Sequence, residues 1–192
     1  MVKSPSSTRV SAENIEVLHS SKDYRERLLA LIKSAKKRIY ITALYVQDDE
    51  AGREILHALY QAKQVNSQLD IKLFVDCHRA QRGLIGEEES LGNRALYLKL
   101  ENENEASIDI HGVAVKPKEL LGVLHLKGMV FDDCLLFSGA SINNIYLHTE
   151  ERYRLDRYHV IQSQSLANSF VDMLSQTFVM SGLCPRLNDE EM

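Results

Sequence analysis

The sequence predicts a single α/β domain in which a mixed β-sheet is flanked by helices. In the first half of the chain, β-branched and aromatic segments alternate with helical patterns, whereas shorter apolar segments follow one another in the second half. A length of 192 residues with 44% hydrophobic residues suits one ordinary core. We expect this domain at 15–183, between a flexible N-terminal arm at 1–14 and a tail at 184–192.

The first half of the chain is predicted to form helix, strand, helix and strand. Ser20 and Asp23 resemble a helix-capping pair, and the apolar residues after them recur at helical spacing, which predicts a helix over about 22–37. Apolar, β-branched segments at 38–46 and 70–76 predict strands, with a second helix between them. Strand, helix and strand in this order predict a βαβ unit with parallel strands.

A long loop is predicted next, over 78–92. Three glycines and three consecutive glutamates lie in it, and a helix is expected to follow near 90–103. Arg79 and Arg82 lie at its start, where bidentate guanidinium contacts to an anion would be natural. They are equally well explained as solvated loop arginines, and Arg154 and Arg157 are weaker candidates of the same kind.

Shorter strands are predicted in the second half of the chain. They lie at 108–115, 123–131, 134–141 and 157–162. An antiparallel hairpin is expected about Asp132 and Asp133, because apolar segments flank this polar pair on both sides. An amphipathic helix with apolar residues from Leu166 to Phe178 closes the domain.

The overall composition excludes several classes of protein. A formal net charge of −4 argues against nucleic acid as the main partner. No apolar run approaches the roughly 20 residues needed to span a bilayer, and the first residues lack a secretory signal, so a cytoplasmic location is expected. The three cysteines are an odd number at wide spacing, which favours reduced thiols over a disulfide framework or a zinc site, and no metal is expected.

A histidine and a lysine on the predicted strand 123–131 are the strongest candidates for chemistry. His125 and Lys127 are two residues apart, so on a strand their side chains share one face. The imidazole can attack phosphorus or protonate a leaving oxygen, and the ammonium can stabilise charge on nonbridging oxygens. Asn143, which follows a turn at Gly139, could donate its amide to the same oxygens.

The spacing around this pair is more specific than the pair itself. A bare His-x-Lys is more often a satisfied histidine and a lysine at a sheet edge. The wider set of positions resembles the signature of the phospholipase D superfamily. It consists of His125, Lys127, Asp132, Gly139 and Asn143. Ala140 stands where that family usually has serine, and Ser141 follows it, so the role of this hydroxyl is open.

Longer blocks of sequence resemble the amino-terminal half of the bacterial CDP-diacylglycerol–serine O-phosphatidyltransferases, the phosphatidylserine synthases of that superfamily. These blocks are DCHRAQRGLIG at 76–86, LGVLHLKGMVFDD at 121–133, FSGASINNIYLH at 137–148 and YRLDRYHVI at 153–161. The resemblance covers roughly residues 15–182 and implies a phospholipase D-like fold.

The same resemblance implies an exchange that needs no metal and no other cofactor. A histidine attacks the phosphorus of CDP-diacylglycerol, CMP leaves, and the serine hydroxyl then displaces the histidine from a phosphatidyl-enzyme. His125 would be this nucleophile or its general-acid counterpart, and Lys127 the phosphate clamp. Asp132 matches the motif, although its place at a hairpin turn favours an orienting or bracing role. A lipid substrate implies peripheral, reversible contact with the inner membrane.

The superfamily builds one active site from two copies of the motif, and this sequence contains one. None of the other six histidines has lysine at the second following position. Three explanations are open. The chain is the amino-terminal part of a longer synthase, which we favour; or two copies pair across a two-fold axis to make a homodimeric phosphodiesterase or nuclease; or it is an incomplete relative that only binds lipid or nucleotide.

Overall fold

A single mixed β-sheet lies at the centre of the structure. The computed structural model describes residues 7–81, 92–114, 123–182 and 184–191. The strands are β1 (Ile15–Leu18), β2 (Arg38–Ala43), β3 (Asp70–Asp76), β4 (Asp109–Val113), β5 (Gly128–Phe131), β6 (Cys134–Ser138) and β7 (Tyr158–Gln162). The helices are α1 (Ser21–Ser34), α2 (Glu50–Val65), α3 (Cys77–Gln81), α4 (Asn93–Glu103), α5 (Asn144–Leu147) and α6 (Gln164–Leu174).

The sheet has a parallel part and an antiparallel part. Its strand order is β1-β7-β6-β5-β2-β3-β4, in which β2, β3 and β4 are parallel and all other neighbours are antiparallel. The predicted mixed sheet, the βαβ unit β2-α2-β3 and the hairpin between β5 and β6 are confirmed. The two parts of the sheet meet where β2 pairs with β5.

Two sheet edges differ from the sequence-based prediction. Strand β1 was not predicted, because it has only four residues, of which Ile15, Glu16 and Val17 are exposed and Leu18 alone packs partly on the core. At the other edge, the described part of the predicted tail lies beside β4 instead of leaving the domain. Leu187 donates its N–H to Ile110 at 2.7 Å, and Gly112 donates to Pro185 at 2.8 Å, so β4 gains a partner on its outer side.

Helices cover both faces of the sheet. On one face, α1 and α2 pack their apolar residues on the sheet, with Tyr24, Leu28 and Ile55 fully buried. On the other face, Ala167 and Leu174 of α6 pack on the central strands. As predicted, α1 begins with a cap in which the Ser20 hydroxyl accepts the N–H of Asp23 at 3.0 Å.

The segment that enters β2 is held by a side chain from the β5–β6 turn. The Asp132 carboxylate accepts the backbone N–H groups of Lys36, Lys37 and Arg38 at 2.9, 2.7 and 3.0 Å. Partial burial tends to raise the pKa of this carboxyl, but the three hydrogen bonds outweigh that effect and hold its pKa below the ordinary 3.8. Asp132 therefore fixes the start of β2 against the end of β5.

Replacing Asp132 by Asn tests this bracing role. Asparagine tolerates the positive φ of 53° at this position, but its amide nitrogen cannot accept a hydrogen bond, so at least one of the three N–H groups loses its partner. We expect the free energy of unfolding in urea at neutral pH to fall by about 1–3 kcal/mol. Asp133→Asn is the matched control, because that carboxylate makes only a partly exposed ion pair with Arg38 at 3.8 Å, and its effect should stay below about 1 kcal/mol.

The pH dependence gives a second readout of the same contact. Because the pKa of Asp132 is lower in the folded state, its carboxylate contributes stability that is complete above the unfolded pKa of about 3.9 and is lost as the pH falls through the folded pKa. The gap in unfolding free energy between the parent chain and Asp132→Asn should therefore shrink below about pH 4. A gap that stays constant into strong acid would contradict the assignment.

Candidate active site

His125 and Lys127 lie at the edge of the sheet where β3 ends and β5 begins. Strand β5 starts only at Gly128, so the prediction of a strand over the whole of 123–131 is wrong for the five residues 123–127. In that segment, the Leu124 N–H binds a side chain rather than a neighbouring strand. The orientation of His125 and Lys127 therefore follows from local contacts and not from strand alternation.

A buried carboxylate anchors the backbone next to His125. Asp76, the last residue of β3, is 3% exposed and accepts the N–H of Leu124 at 2.9 Å and the N–H of Arg79 at 2.8 Å. It thereby joins the end of β3, the start of α3 and the residue before His125. Sequence reasoning missed Asp76; the available signal was an acidic residue directly after the apolar strand residues of 70–76.

The imidazole of His125 is exposed, whereas the ammonium of Lys127 is held. His125 has no hydrogen-bond partner within the described ranges, so it is open to a substrate. Lys127 donates to the carbonyl oxygen of Gly139, and the Ser141 hydroxyl lies 3.4 Å from its Nζ. The hydroxyl that is displaced by one residue from the family position therefore contacts the motif lysine, while the Ala140 side chain is buried.

The backbone after Lys127 is fixed by a threonine of β2. The Thr42 hydroxyl accepts the N–H of Gly128 at 2.8 Å and donates to the carbonyl of Gly128 at 2.9 Å. Thr42 is fully buried, so these bonds are shielded from water. A Cβ at position 128 would lie 2.7 Å from the ring of Phe170 in α6, so any other residue there would require that ring to move.

The turn that receives the lysine is itself tied to the chain before β7. The Asp156 carboxylate accepts the N–H of Gly139 at 3.1 Å, and a Cβ at 139 would lie 2.7 Å from its Oδ2. Any other residue at 139 would require this carboxylate to shift. Gly139 thus bonds to Lys127 through its carbonyl and to Asp156 through its N–H.

Asn143 has a structural role that the sequence did not reveal. Its side chain is 8% exposed, and its Oδ1 accepts the N–H of Tyr146 at 3.1 Å, which caps α5. The neighbouring Ile142 bridges to Val46, so this turn stays next to the loop after β2. An amide donor from Asn143 to a phosphate remains a prediction.

The remaining candidates are separated from this group or lie outside the description. Asp132 follows the last residue of β5, and a four-residue strand at about 3.3 Å per residue places it roughly 15 Å from Lys127. Arg79 lies in α3, close to Asp76 through its backbone, and is half-buried. Arg82 lies outside the described residues.

These contacts hold the Lys127 ammonium in place, and the His125 imidazole two residues before it is exposed. A held cation and an accessible imidazole are groups that suit attack on a phosphorus atom. No group of three His, Cys, Asp or Glu side chains that could hold a metal ion occurs in the described part of the chain. None of the helices within residues 7–81, 92–114, 123–182 and 184–191 is long and apolar enough to cross a lipid bilayer.

Comparison with known proteins identifies the family. Residues 28–177 match the family described as "Cardiolipin synthase, PLD-like domain", and the chain belongs to this phospholipase D-like family. The CDP-diacylglycerol–serine O-phosphatidyltransferase of Haemophilus influenzae is 48% identical over 86% of this chain and 37% of its own length. The Escherichia coli enzyme is 41% identical over 93% of this chain and 40% of its own length. The chain thus spans about two fifths of these curated relatives.

Solved structures agree with this assignment. The phosphatidylserine synthase of Haemophilus influenzae superimposes with a TM-score of 0.90 at 44% identity, covering 95% of this chain and 41% of that chain. Nuc, a phospholipase D family member from Salmonella typhimurium, gives a TM-score of 0.63 at 19% identity, covering 90% of this chain and 96% of its own, which is a likeness of fold alone. The resemblance inferred from the sequence blocks is confirmed.

Removing the hydroxyl of Thr42 should loosen the segment that carries Lys127. Thr42→Val keeps the shape of the side chain but leaves the buried N–H of Gly128 without its partner, which costs about 1–3 kcal/mol in the free energy of unfolding. Thr42→Ser retains the hydroxyl and loses one methyl group, for which about 1 kcal/mol is expected. Urea unfolding of both variants measures the difference, and equal losses would show that the hydroxyl does not hold Gly128.

Proposed function

We propose that this chain supplies one of the two half-sites of a CDP-diacylglycerol–serine O-phosphatidyltransferase. The observation that carries the proposal is that the Lys127 ammonium is held by Gly139 while the His125 imidazole, two residues earlier in the chain, is exposed. Two relatives that are 41% and 48% identical to this chain bear that enzyme name, and their similarity covers the segment with both residues. The substrates would be CDP-diacylglycerol and serine.

The reaction proceeds in two displacements at one phosphorus atom. In the first, an imidazole nitrogen of His125 forms a bond to the phosphatidyl phosphorus, and the bond to the CMP oxygen breaks as that oxygen is protonated. In the second, the hydroxyl oxygen of serine attacks phosphorus, loses its proton and releases the histidine. Lys127 stabilises the negative charge on the nonbridging oxygens in both steps.

The neighbouring residues have supporting roles in this proposal. The Ser141 hydroxyl, which lies 3.4 Å from Lys127 Nζ, and the Asn143 amide would contact phosphate oxygens. Arg79 is placed next to Asp76 at the end of β3, and Arg79 and Arg82 would contact the pyrophosphate. Asp132 acts as a brace for β2 and not in the chemical steps.

A second half-site must provide the proton donor and acceptor, because one histidine cannot attack phosphorus and protonate the leaving oxygen at once. A further segment of polypeptide with its own motif fits the length of the relatives, of which this chain spans about two fifths. A lipid substrate also requires that the site reach a bilayer, so we include peripheral association with the inner membrane in the proposal.

A chimeric enzyme tests the role of His125. In it, this chain replaces the matching part of the Haemophilus influenzae relative, and the incorporation of labelled serine into lipid is measured with and without CDP-diacylglycerol. His125→Ala should lower that rate by a factor on the order of 10³ or more, because the nucleophile is lost. His57→Ala, on the exposed face of α2, is the matched control and should keep the parent rate.

Two outcomes would contradict the assignment. One is a His125→Ala chimera as active as the His57→Ala chimera. The other concerns the intermediate: the active chimera, quenched after CDP-diacylglycerol alone, should carry a phosphatidyl group on the peptide with His125. An adduct on a different residue would remove His125 from the nucleophile role.

A second candidate is a homodimeric phosphodiesterase, in which two copies of His125 share one site. The structural match to this chain covers 96% of the Nuc chain, so a phospholipase D family member of about this size has the same fold. That candidate predicts a dimer mass for this chain alone and hydrolysis of a simple phosphodiester in the presence of a chelator. A monomer without that hydrolysis would leave the synthase half-site as the better account.

A further inference from the structure

The stretch 152–157, between α5 and β7, exposes large apolar and cationic side chains, although the Tyr153 ring stacks on His148 and the Arg154 guanidinium lies 5.9 Å from the centre of the Tyr146 ring. Tyr153 is 44% exposed and Leu155 is 64% exposed, although both belong to residue types that usually bury much of their surface. Arg152 and Arg157 flank them and are exposed. Exposed apolar side chains that lie close together can mark an interaction surface.

The backbone of this stretch is held on the protein even though its side chains face solvent. Arg154 donates its N–H to Ile145 at 2.9 Å, and its carbonyl accepts the Ser21 hydroxyl at 2.9 Å. Asp156 accepts the N–H of Gly139 at 3.1 Å. The exposed side chains therefore project from a segment that hydrogen bonds hold in place.

The arginines of the stretch 152–157 outnumber its carboxylates and form no ion pair within the described part of the chain. Among the described residues, no carboxylate lies within ion-pairing distance of Arg152, Arg154 or Arg157. Within 152–157, three arginines stand against the single carboxylate of Asp156, a formal charge of +2, and the carboxylates of Glu150 and Glu151 directly precede the stretch. The formal net charge of the whole chain is −4.

We propose that Arg152, Tyr153, Leu155 and Arg157 form the surface that contacts an anionic lipid bilayer. Leucine and tyrosine side chains suit the acyl and headgroup levels of a membrane interface, and guanidinium groups pair with lipid phosphates. A negatively charged chain needs such a local cationic surface to approach an anionic bilayer. A free nucleotide would account for the arginines but not for Leu155.

The position of this surface connects it to the candidate active site. Gly139 donates its N–H to the Asp156 carboxylate and accepts a hydrogen bond from the Lys127 ammonium at its carbonyl oxygen. The stretch 152–157 and the motif lysine therefore contact the same residue. Docking here would bring His125 and Lys127 to the level of lipid headgroups. The inference rests on the proposed function in that respect, because that function requires a substrate held in a bilayer.

Tryptophan fluorescence tests the contact directly, because the chain contains no tryptophan. Leu155→Trp places a single reporter on the proposed surface, and Val65→Trp places one at an 84% exposed position on α2 as the matched control. On vesicles of phosphatidylcholine with roughly one third phosphatidylglycerol, the emission of Leu155→Trp should shift to the blue and that of Val65→Trp should not. Vesicles of phosphatidylcholine alone should give a much weaker shift.

Cosedimentation with the same anionic vesicles tests the charges. Arg152→Gln with Arg157→Gln should weaken binding by about fivefold for each arginine, or roughly 25-fold together. Lys22→Gln with Lys99→Gln removes the same charge from two exposed, glutamate-paired lysines, and should change binding far less.

Three results would overturn the inference. The first is vesicle binding without a shift of Leu155→Trp, or no vesicle binding at all. The second is equal loss of binding in the two double variants. The third is a blue shift of Leu155→Trp that depends on protein concentration in the absence of vesicles, which would make the surface a protein interface. Since the vesicles contain neither CDP-diacylglycerol nor serine, these results are independent of whether phosphatidyl transfer occurs.

Discussion

The pairing of β2 with β5 is the constraint on which the rest of the structure depends. It joins the parallel part of the sheet to the antiparallel part, and side chains reinforce it at both ends. At one end the Thr42 hydroxyl binds both backbone groups of Gly128; at the other, Asp132 binds three successive N–H groups before β2. If either end of this pairing opened, the residues immediately before β5, including Lys127, would no longer be held in position.

The motif divides between these two ends. His125 and Lys127 precede β5, whereas Asp132 follows it, so the four-residue spacing between Lys127 and Asp132 is the length of the strand. One sequence signature thus combines a pair that we propose to face the substrate with a residue that supports the sheet. Its regular spacing records strand geometry as much as reactivity.

Much of the fold could be predicted from the sequence because its central strands are apolar and its helices are amphipathic. Strand 70–76 was predicted with its observed bounds, and the turn at Asp132 was located. Features that depend on distant contacts could not be predicted. Asp76 binding Leu124 across 48 positions, and the predicted tail pairing with β4, are visible only after the chain has folded. For the same reason, the sequence around His125 predicted a strand, although the backbone there is irregular.

Gly139 has a consequence for how distant parts of this domain influence one another. It accepts a bond from Lys127 and donates one to Asp156, so the position of the ammonium and the conformation of the exposed stretch 152–157 share one residue. Thermodynamic linkage makes such an arrangement reciprocal: if the conformation of the stretch shifts the affinity of the proposed phosphate subsite, an occupied subsite shifts the conformation of the stretch by the same free energy. Under the proposed function, the shared glycine would thus couple contact with a bilayer to phosphate binding, and interfacial activation would be an equilibrium property of the domain.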